Sequence, residues 1–328
     1  MNQYLIYLII TFLLVASELL YFRIADRCNI IDKPNERSSH KAIVLRGGGV
    51  IFLFGAILFA CFFGFQYLWF LLGLLLISIV SFWDDVHSLP DSVRLIVQFA
   101  SMFLMFYQLG ILQWNLWWVV IIAWIVCVGI INAYNFMDGI NGITGGYSLA
   151  VLLPLIYINT KTGFISMSLL ICIVLADLVF CFFNFRKRAK CFAGDVGSIS
   201  MAFMVVFAIG MLMVATKDYS WIMLIAVYGV DTVLTIIHRI LLHEHLGEAH
   251  RKHLYQLMAN ELHMPHLVVS SIYMVLQLVI SAGLILIPMN HYLYSVIVLV
   301  ILCIAYILFM KKYYHLHEEY LASLHHES

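Results

Sequence analysis

Charge is scarce in this chain. Of its 328 residues only 11% are Asp, Glu, Lys or Arg, and 64% are hydrophobic, against about 25% and about 45–50% in ordinary soluble proteins. A water-soluble globular fold is excluded. Neither sign is in excess, because 18 Lys+Arg offset 18 Asp+Glu, and a balanced chain carries no implied nucleic-acid surface. Paired cysteines are also lacking. The seven, at 28, 61, 127, 172, 181, 191 and 303, are scattered, odd in number and form no CxxC, which argues against a disulfide framework and a thiolate zinc site. The first apolar run has no basic residue before it and no small-residue cleavage pattern after it, so it reads as a retained span and not a removed signal.

What is present is apolar sequence in blocks long enough to cross a bilayer, which takes roughly 20 residues. Eleven spans are expected, near 3 to 23, 47 to 65, 67 to 83, 94 to 111, 115 to 134, 145 to 159, 163 to 184, 198 to 215, 220 to 237, 266 to 287 and 292 to 310. They leave no room for a separate soluble domain. The expected fold is all-α and polytopic, with a single transmembrane catalytic domain over 1–310 and a cytoplasmic tail over 311–328. Sixteen of the 18 basic residues fall in the loops after odd-numbered spans, leaving Lys161 and Lys217 opposite. By the positive-inside rule those loops are cytoplasmic and the N-terminus is periplasmic. The opposite connections are little more than turns, so the informative sequence lies on one face.

Five loops on that face carry the chemistry. The first runs Asp32-Lys33-Pro34-Asn35-Glu36-Arg37-Ser38-Ser39-His40-Lys41 and leads to Arg46-Gly47-Gly48-Gly49; glycines opening a helix admit a ligand to free backbone N–H groups, which favour an anion. The third begins Trp83-Asp84-Asp85. Adjacent carboxylates at a membrane boundary imply full solvation or a cation held between them. The fifth, from Asn132 through Asn135, Asp138 and Asn141 to Gly146, is too specialised for a plain turn. Asn132 and Asn135 share a helix face if the fifth span extends that far. In the seventh, a basic cluster from Arg186 to Lys190 suits anionic lipid heads, and Asp195 stands between Gly194 and Val196-Gly197, open enough for a metal ligand. The ninth holds His238, Arg239, His243, His245, Glu248 and His250-Arg251-Lys252-His253. His250 and His253 are expected on one face of a helical turn, with Arg251 and Lys252 beside them to clamp phosphate. The tail histidines His315, His317, His325 and His326 are expected in a solvated end.

Carboxylates need a cation, and a cation held by few carboxylates needs a phosphate partner, so a magnesium diphosphate at a membrane surface is the economical ligand. Taken in order, the Asp32 to His40 segment with its glycines, Asp84-Asp85, Asn132-x-x-Asn135-x-x-Asp138-Gly139, Phe192-Ala193-Gly194-Asp195-x-Gly197 and the final histidine segment resemble the polyprenyl-phosphate N-acetylhexosamine-1-phosphate transferases, of glycosyltransferase family 4 type. The resemblance implies Mg²⁺-dependent transfer of a sugar 1-phosphate from a UDP-sugar to undecaprenyl phosphate with release of UMP, in a bacterial inner membrane, with Mn²⁺ as an alternative metal. It implies catalytic roles for Asp84, Asp85, Asp195, His250 and His253 and metal ligation by Asp195, Asp138 and Asp84. Substrate contacts would come from Arg37, His40, Gly48, Asn132, Asn135, Asp138, Asn141, Asp231, Arg251 and Lys252. The partners are the donor, the lipid acceptor and the bilayer, with a homodimer as an option. His250-Arg251-Lys252-His253 is nearer the branch that initiates O-antigen or capsule than the peptidoglycan branch, whose members carry consecutive histidines; a phospho-muramoyl-pentapeptide transferase is the alternative.

Three acids fall inside spans, Glu18, Asp177 and Asp231. Such groups are costly in lipid and should face the protein interior. Asp231, two turns before His238-Arg239, is the one expected to support the site; the other two read as helix-to-helix contacts. A transporter or flippase would place acids near the midplane and show an internal repeat, and a metal-dependent lipid phosphatase would not need the Asn/Gly loop.

Overall fold

The computed structural model describes residues 2–32, 43–113, 115, 117–245 and 250–327, with side chains to Tyr320. Its helices are α1 (Gln3–Arg27), α2 (Val50–Phe63), α3 (Leu68–Val86), α4 (Asp91–Leu109), α5 (Trp117–Met137), α6 (Ile143–Thr162), α7 (Met167–Asn184), α8 (Gly194–Thr216), α9 (Ala226–Leu241), α10 (Leu254–Asn260), α11 (His266–Leu286) and α12 (His291–Glu327). A 3-10 segment, Tyr219–Ile225, leads into α9. Counting that segment with α9, ten helical stretches among the described residues are long and apolar enough to cross a membrane. The protein is an all-α, multi-pass membrane protein.

Each of the eleven expected spans finds one helix. At 14 residues α2 is shorter than the rest, about 21 Å at 1.5 Å per residue. Two features depart from expectation. The short helix α10 lies inside what reads as a polar loop, and α12 continues for 37 residues without a break at 310. The continuation explains the second, since Tyr306, Met310 and His317 are all buried and repeat at helical spacing along one face.

Helices α6, α7, α8 and the 219–241 segment are each about two-thirds buried or more, whereas α1, α5 and α12 are only about one-fifth buried. Several of the polar groups this interior contains are matched internally, as a dry setting favours. Tyr147 of α6 stacks on Tyr228 of α9 at 3.5 Å. The Tyr147 hydroxyl donates to Gln277 Oε1 at 2.8 Å, the same oxygen accepts Val227 N–H at 3.2 Å, and Gln277 Nε2 donates to the Met223 carbonyl at 3.0 Å. One glutamine of α11 thus fixes the junction where the 3-10 segment becomes α9.

The first long loop is stitched down at both ends. Strand β1 (Ile31–Asp32) pairs antiparallel with β2 (Val44–Leu45), and Leu45 forms a parallel bridge to Cys191. The Phe192 N–H donates to the Leu45 carbonyl at 2.8 Å, and the N–H groups of Gly48 and Gly49 donate to the carbonyls of Phe192 and Ala193 at 2.9 and 3.1 Å. This ladder seats the start of α2 directly on the start of α8. A Cβ added at Gly49 would lie 2.2 Å from Gly197 Cα, so both glycines are dictated by close helix packing. Gly49→Ala or Gly197→Ala is expected to destabilise the fold by about 1–3 kcal/mol through overpacking. Thermal unfolding in detergent checks this; unchanged melting of both variants would mean the helix starts do not meet.

Candidate active site

The end of α3 and the start of α8 meet through Asp85. Its Oδ1 and Oδ2 accept the N–H groups of Asp195 and Val196 at 2.9 and 3.0 Å, so a side chain of one helix caps the orphan amides of another. Arg46 Nε adds an ion pair at 2.7 Å, and the Asp85 side chain is wholly buried. Gly194 makes room for this arrangement. Its φ is +70°, and a Cβ there would come within 2.6 Å of Asp85 Oδ2, which leaves glycine as the residue the position admits.

Asp84 turns the other way. It accepts the Leu89 N–H at 2.6 Å and pairs with Arg94 Nη1 at 3.0 Å, while Arg94 also holds Asp91. Neither of the two adjacent acids is exposed to solvent. Each has its own guanidinium. Asp195 lies between those arginines in looser contact, 3.6 Å from Arg46 Nη2 and 3.9 Å from Arg94 Nη1.

Beside this cluster, α5 extends to Met137, so Asn132 and Asn135 do lie on one helix. Asn132 Nδ2 donates to Gln98 Oε1 at 3.2 Å and to the Val128 carbonyl at 2.8 Å. Asn135 Oδ1 accepts from the Ser198 hydroxyl of α8 at 3.0 Å. Asp138 accepts from Thr144 at 2.5 Å. Burial, only partly offset by that hydroxyl, pushes its carboxyl up to about 7. Asn141 acts as a clip: its Nδ2 donates to the Arg186 carbonyl at 3.0 Å, and its own carbonyl accepts Ser270 Oγ at 2.8 Å. Gly48 has its N–H bonded to Phe192 and is buried, so that amide is not free for an anion. Arg37 and His40 lie outside the described residues.

The histidine segment is not one helical turn. Residues 250–252 are irregular and His253 is the N-cap of α10, with Gln256 closing a capping box. The rings of His250 and His253 still lie 5.1 Å apart, and Phe136 of α5 stands 6.5 and 6.3 Å from them. Tyr255 ties the segment to the Asn/Asp loop by donating to the Phe136 carbonyl at 2.9 Å. Asp231 is the hub below: it approaches His253 Nδ1 at 3.4 Å, accepts Leu254 N–H at 3.0 Å and the Tyr273 hydroxyl at 2.6 Å. Burial, then the neighbouring His253, Arg239 and Lys252, lower His250 to about 3. It is a neutral imidazole at physiological pH, so the positive charge here belongs to Arg251 and Lys252, which are paired with Glu261 and Glu244.

The model of glycosyl transferase family 4 matches residues 67–215, a stretch that carries Asp84, Asp85, Asn132, Asn135, Asp138 and Asp195. Over that stretch the chain is similar to glycosyl transferase family 4. Among similar proteins, a Bacillus subtilis protein named a probable undecaprenyl-phosphate N-acetylglucosaminyl 1-phosphate transferase is 26% identical over 255 residues, covering 71% of this chain and 70% of that one. A phospho-N-acetylmuramoyl-pentapeptide-transferase of Limosilactobacillus reuteri is 28% identical over 261 residues, 70% of this chain and 79% of its own. A protein of the same name from Thermotoga neapolitana is 31% identical over a shorter stretch of 121 residues, 37% of this chain and 38% of that one.

The residues that hold the site acids in place carry no motif of their own in the sequence. Arg46 and Arg94 read as topogenic charges, and Ser198, Thr144, Glu244 and Glu261 carry no motif. Among the described residues, no three His, Cys, Asp or Glu side chains form a ready-made metal cage. Asp85 has both oxygens committed to backbone amides, whereas the Asp195 carboxylate is not so engaged.

Two outcomes follow from these environments. Asp85→Ala strands Arg46 and two amides and is expected to cost about 3–5 kcal/mol, whereas Asp195→Asn, which weakens two long ion contacts and keeps a polar side chain that can still hydrogen-bond to Asp84, should stay within about 1 kcal/mol of wild type; equal losses in thermal unfolding would contradict this division. Asp138, raised from an ordinary 3.8 to about 7, keeps in the folded state a proton that the unfolded chain releases. Stability attributable to it is therefore lost as pH rises from about 4 to about 7. Wild type should lose stability relative to Asp138→Asn across that window, and parallel pH profiles would refute the assignment.

Proposed function

We propose that the protein transfers an N-acetylhexosamine 1-phosphate from a UDP-sugar to undecaprenyl phosphate, releasing UMP, at the cytoplasmic face of a bacterial inner membrane. The observation that carries this reading is the meeting of Asp84, Asp85 and Asp195, with Arg46 and Arg94 interleaved, at one end of a membrane-embedded bundle. Further support comes from the family likeness and from relatives named for transfer to undecaprenyl phosphate. The concentration of basic residues in the loops of that end supports the orientation.

In the reaction, an oxygen of the acceptor phosphate attacks the sugar-bearing phosphorus of the donor. The bond from that phosphorus to the bridging oxygen breaks, and UMP leaves. Since the attacking oxygen is largely ionised near neutral pH, little general-base catalysis is required. Asp85, with both oxygens occupied, positions Arg46 and the start of α8. Arg46 and Arg94 flank the place where phosphate charge accumulates, and their fork geometry suits phosphate oxygens. His250, neutral at rest, offers a hydrogen bond without adding charge. Arg251 and Lys252 answer the remaining negative charge of the diphosphate.

The residues fit a divalent cation. Four carboxyl groups, Asp84, Asp85, Asp138 and Asp195, face two guanidiniums, a surplus of up to two negative charges. Mg²⁺ is commonly held by one or two carboxylates with substrate phosphates completing its shell, and Asp195, assisted by Asp84 and Asp138, would hold it. When bound it would supply charge neutralisation across the diphosphate.

The finer reading, an N-acetylhexosamine substrate for O-antigen or another envelope polysaccharide, rests on Arg251-Lys252 between the two histidines. The alternative is a UDP-muramoyl-pentapeptide donor, which the L. reuteri and T. neapolitana relatives keep in view. Purified protein supplied with Mg²⁺, undecaprenyl phosphate and a panel of both donor classes should release UMP with a UDP-N-acetylhexosamine. EDTA should stop turnover and Mn²⁺ restore it, and Asp195→Asn should reduce it by at least about a hundredfold, the scale of losing a principal charge stabiliser. Turnover with neither class would sink the transferase reading; turnover with the pentapeptide donor alone would overturn the branch assignment.

A further inference from the structure

Helix α12 is longer than a membrane requires. Its 37 residues span about 55 Å, while a hydrocarbon core is about 30 Å thick. The excess does not stand free. Along one face Tyr306, Met310, Tyr314, His317 and Tyr320 turn inward, and the first two form an apolar cluster with Leu257 of α10, against which Tyr314 packs.

The polar contacts at the far end are more specific. Glu261, just past α10, has a side chain only 4% exposed, and its Oε1 is shared: His317 Nδ1 approaches it at 2.9 Å and Arg251 Nη2 at 3.1 Å. A carboxylate acceptor requires that His317 carry its proton on Nδ1. The Arg251 guanidinium lies over the Tyr320 ring at 4.4 Å, and the Lys252 ammonium stands 6.0 Å from the Tyr314 ring. Lower on the same face, the Tyr306 hydroxyl meets Thr235 at 2.9 Å. Thr235 in turn donates to Asp231 at 3.2 Å, the carboxylate that holds His253. One helix thus grips the histidine segment twice, through Asp231 and through Glu261.

That segment needs a grip. Between α9 and α11 the chain runs from 242 to 265, and its only regular structure among the described residues is the seven-residue α10. A guanidinium on such a connection recognises a diphosphate well only when its position is fixed beforehand. We propose that the C-terminal extension of α12 is a positioning strut of the active site, in which His317 and Tyr320, the former through Glu261, hold Arg251 where it meets the diphosphate of the nucleotide donor. The choice of ligand rests on the transferase reading; the strut itself does not.

The test uses full-length purified protein carrying His317→Leu, His317→Asn, Tyr320→Leu or Tyr320→Phe. His317→Leu should raise KM for the UDP-sugar roughly tenfold, the scale of one charge-assisted hydrogen bond, with KM for the lipid acceptor within about twofold of wild type. His317→Asn, which keeps a donor near the Nδ1 position, should recover most of that loss. Tyr320→Phe should behave as wild type and Tyr320→Leu should not, because the aromatic face is what the guanidinium needs. A role confined to stability would lower kcat and the folded fraction while leaving both KM values unchanged, and that result would overturn the proposal. Hydrogen exchange over residues 250–261 reads the strut without reference to activity. His317→Leu should lose protection there and His317→Asn should keep it. Unchanged protection in His317→Leu overturns the strut, whereas lost protection in a protein that turns over no UDP-sugar retains the strut and discards the donor.

Discussion

The arrangement of the acidic site depends on one buried carboxylate. Asp85 ends α3, yet its two oxygens complete the first turn of α8 and hold the arginine that leads into α2. A charge withdrawn from water must recover in protein contacts what it loses in hydration, and here three donors from two chain segments supply them. The consequence is geometric: three segments distant in sequence share one point, and the direction in which each leaves that point is set. The Gly49–Gly197 contact and the ladder from Leu45 to Ala193 follow from the same requirement, since the segment carrying Arg46 must come down onto the start of α8 to reach Asp85.

Commitment of Asp85 is what leaves Asp195 available. Two neighbouring acids in a dry setting would ordinarily repel until one took up a proton. Arg46 and Arg94 divide them, so that Asp84 and Asp85 are each neutralised locally, and the next carboxylate in space, Asp195, is held by a hydrogen bond to Asp84 and by long contacts to the two guanidiniums. Asp195 is partly exposed, at 15% of its side chain, while Asp85 is fully enclosed. Neighbouring aspartates in one cluster therefore have different assignments for a physical reason: one has its lone pairs filled, and the other does not.

Much of this was legible beforehand. Apolar runs of bilayer length located every membrane helix, because a lipid-embedded backbone must bond to itself and a helix is the local way to do so. The acids that matter were also visible as polar residues at the ends of apolar runs. Their partners were not. Nothing in the order Arg46-Gly47-Gly48 says that the arginine will meet an aspartate 39 positions later or that the glycine amides will be taken by Phe192 and Ala193, since these pairings are set by how helices pack. His250 and His253 were misplaced on a helix because spacing alone cannot reveal that His253 caps one. The end of α12 was misread for a related reason. Tyr314, His317 and Tyr320 sit among polar residues whose composition suits solvent, and only the packing of α10 gives that face something to cover.

The interior acids bear on what kind of machine this is. A transporter places ionisable groups along a path through the membrane. Asp231 is not arranged as a way-station: its oxygens are shared among Leu254 N–H, the hydroxyls of Tyr273 and Thr235, and His253. Such an acid orients an imidazole. With Nδ1 turned to a carboxylate, His253 directs Nε2 away from it, and that nitrogen is buried with no hydrogen-bond partner among the described residues. A buried nitrogen in that condition costs free energy unless something else meets it, and His250, whose ring lies 5.1 Å from that of His253, belongs to the proposed diphosphate site. The polar interior of this bundle thus holds surface chemistry in place from below, which is what a reaction between a soluble nucleotide and a membrane-bound phosphate requires.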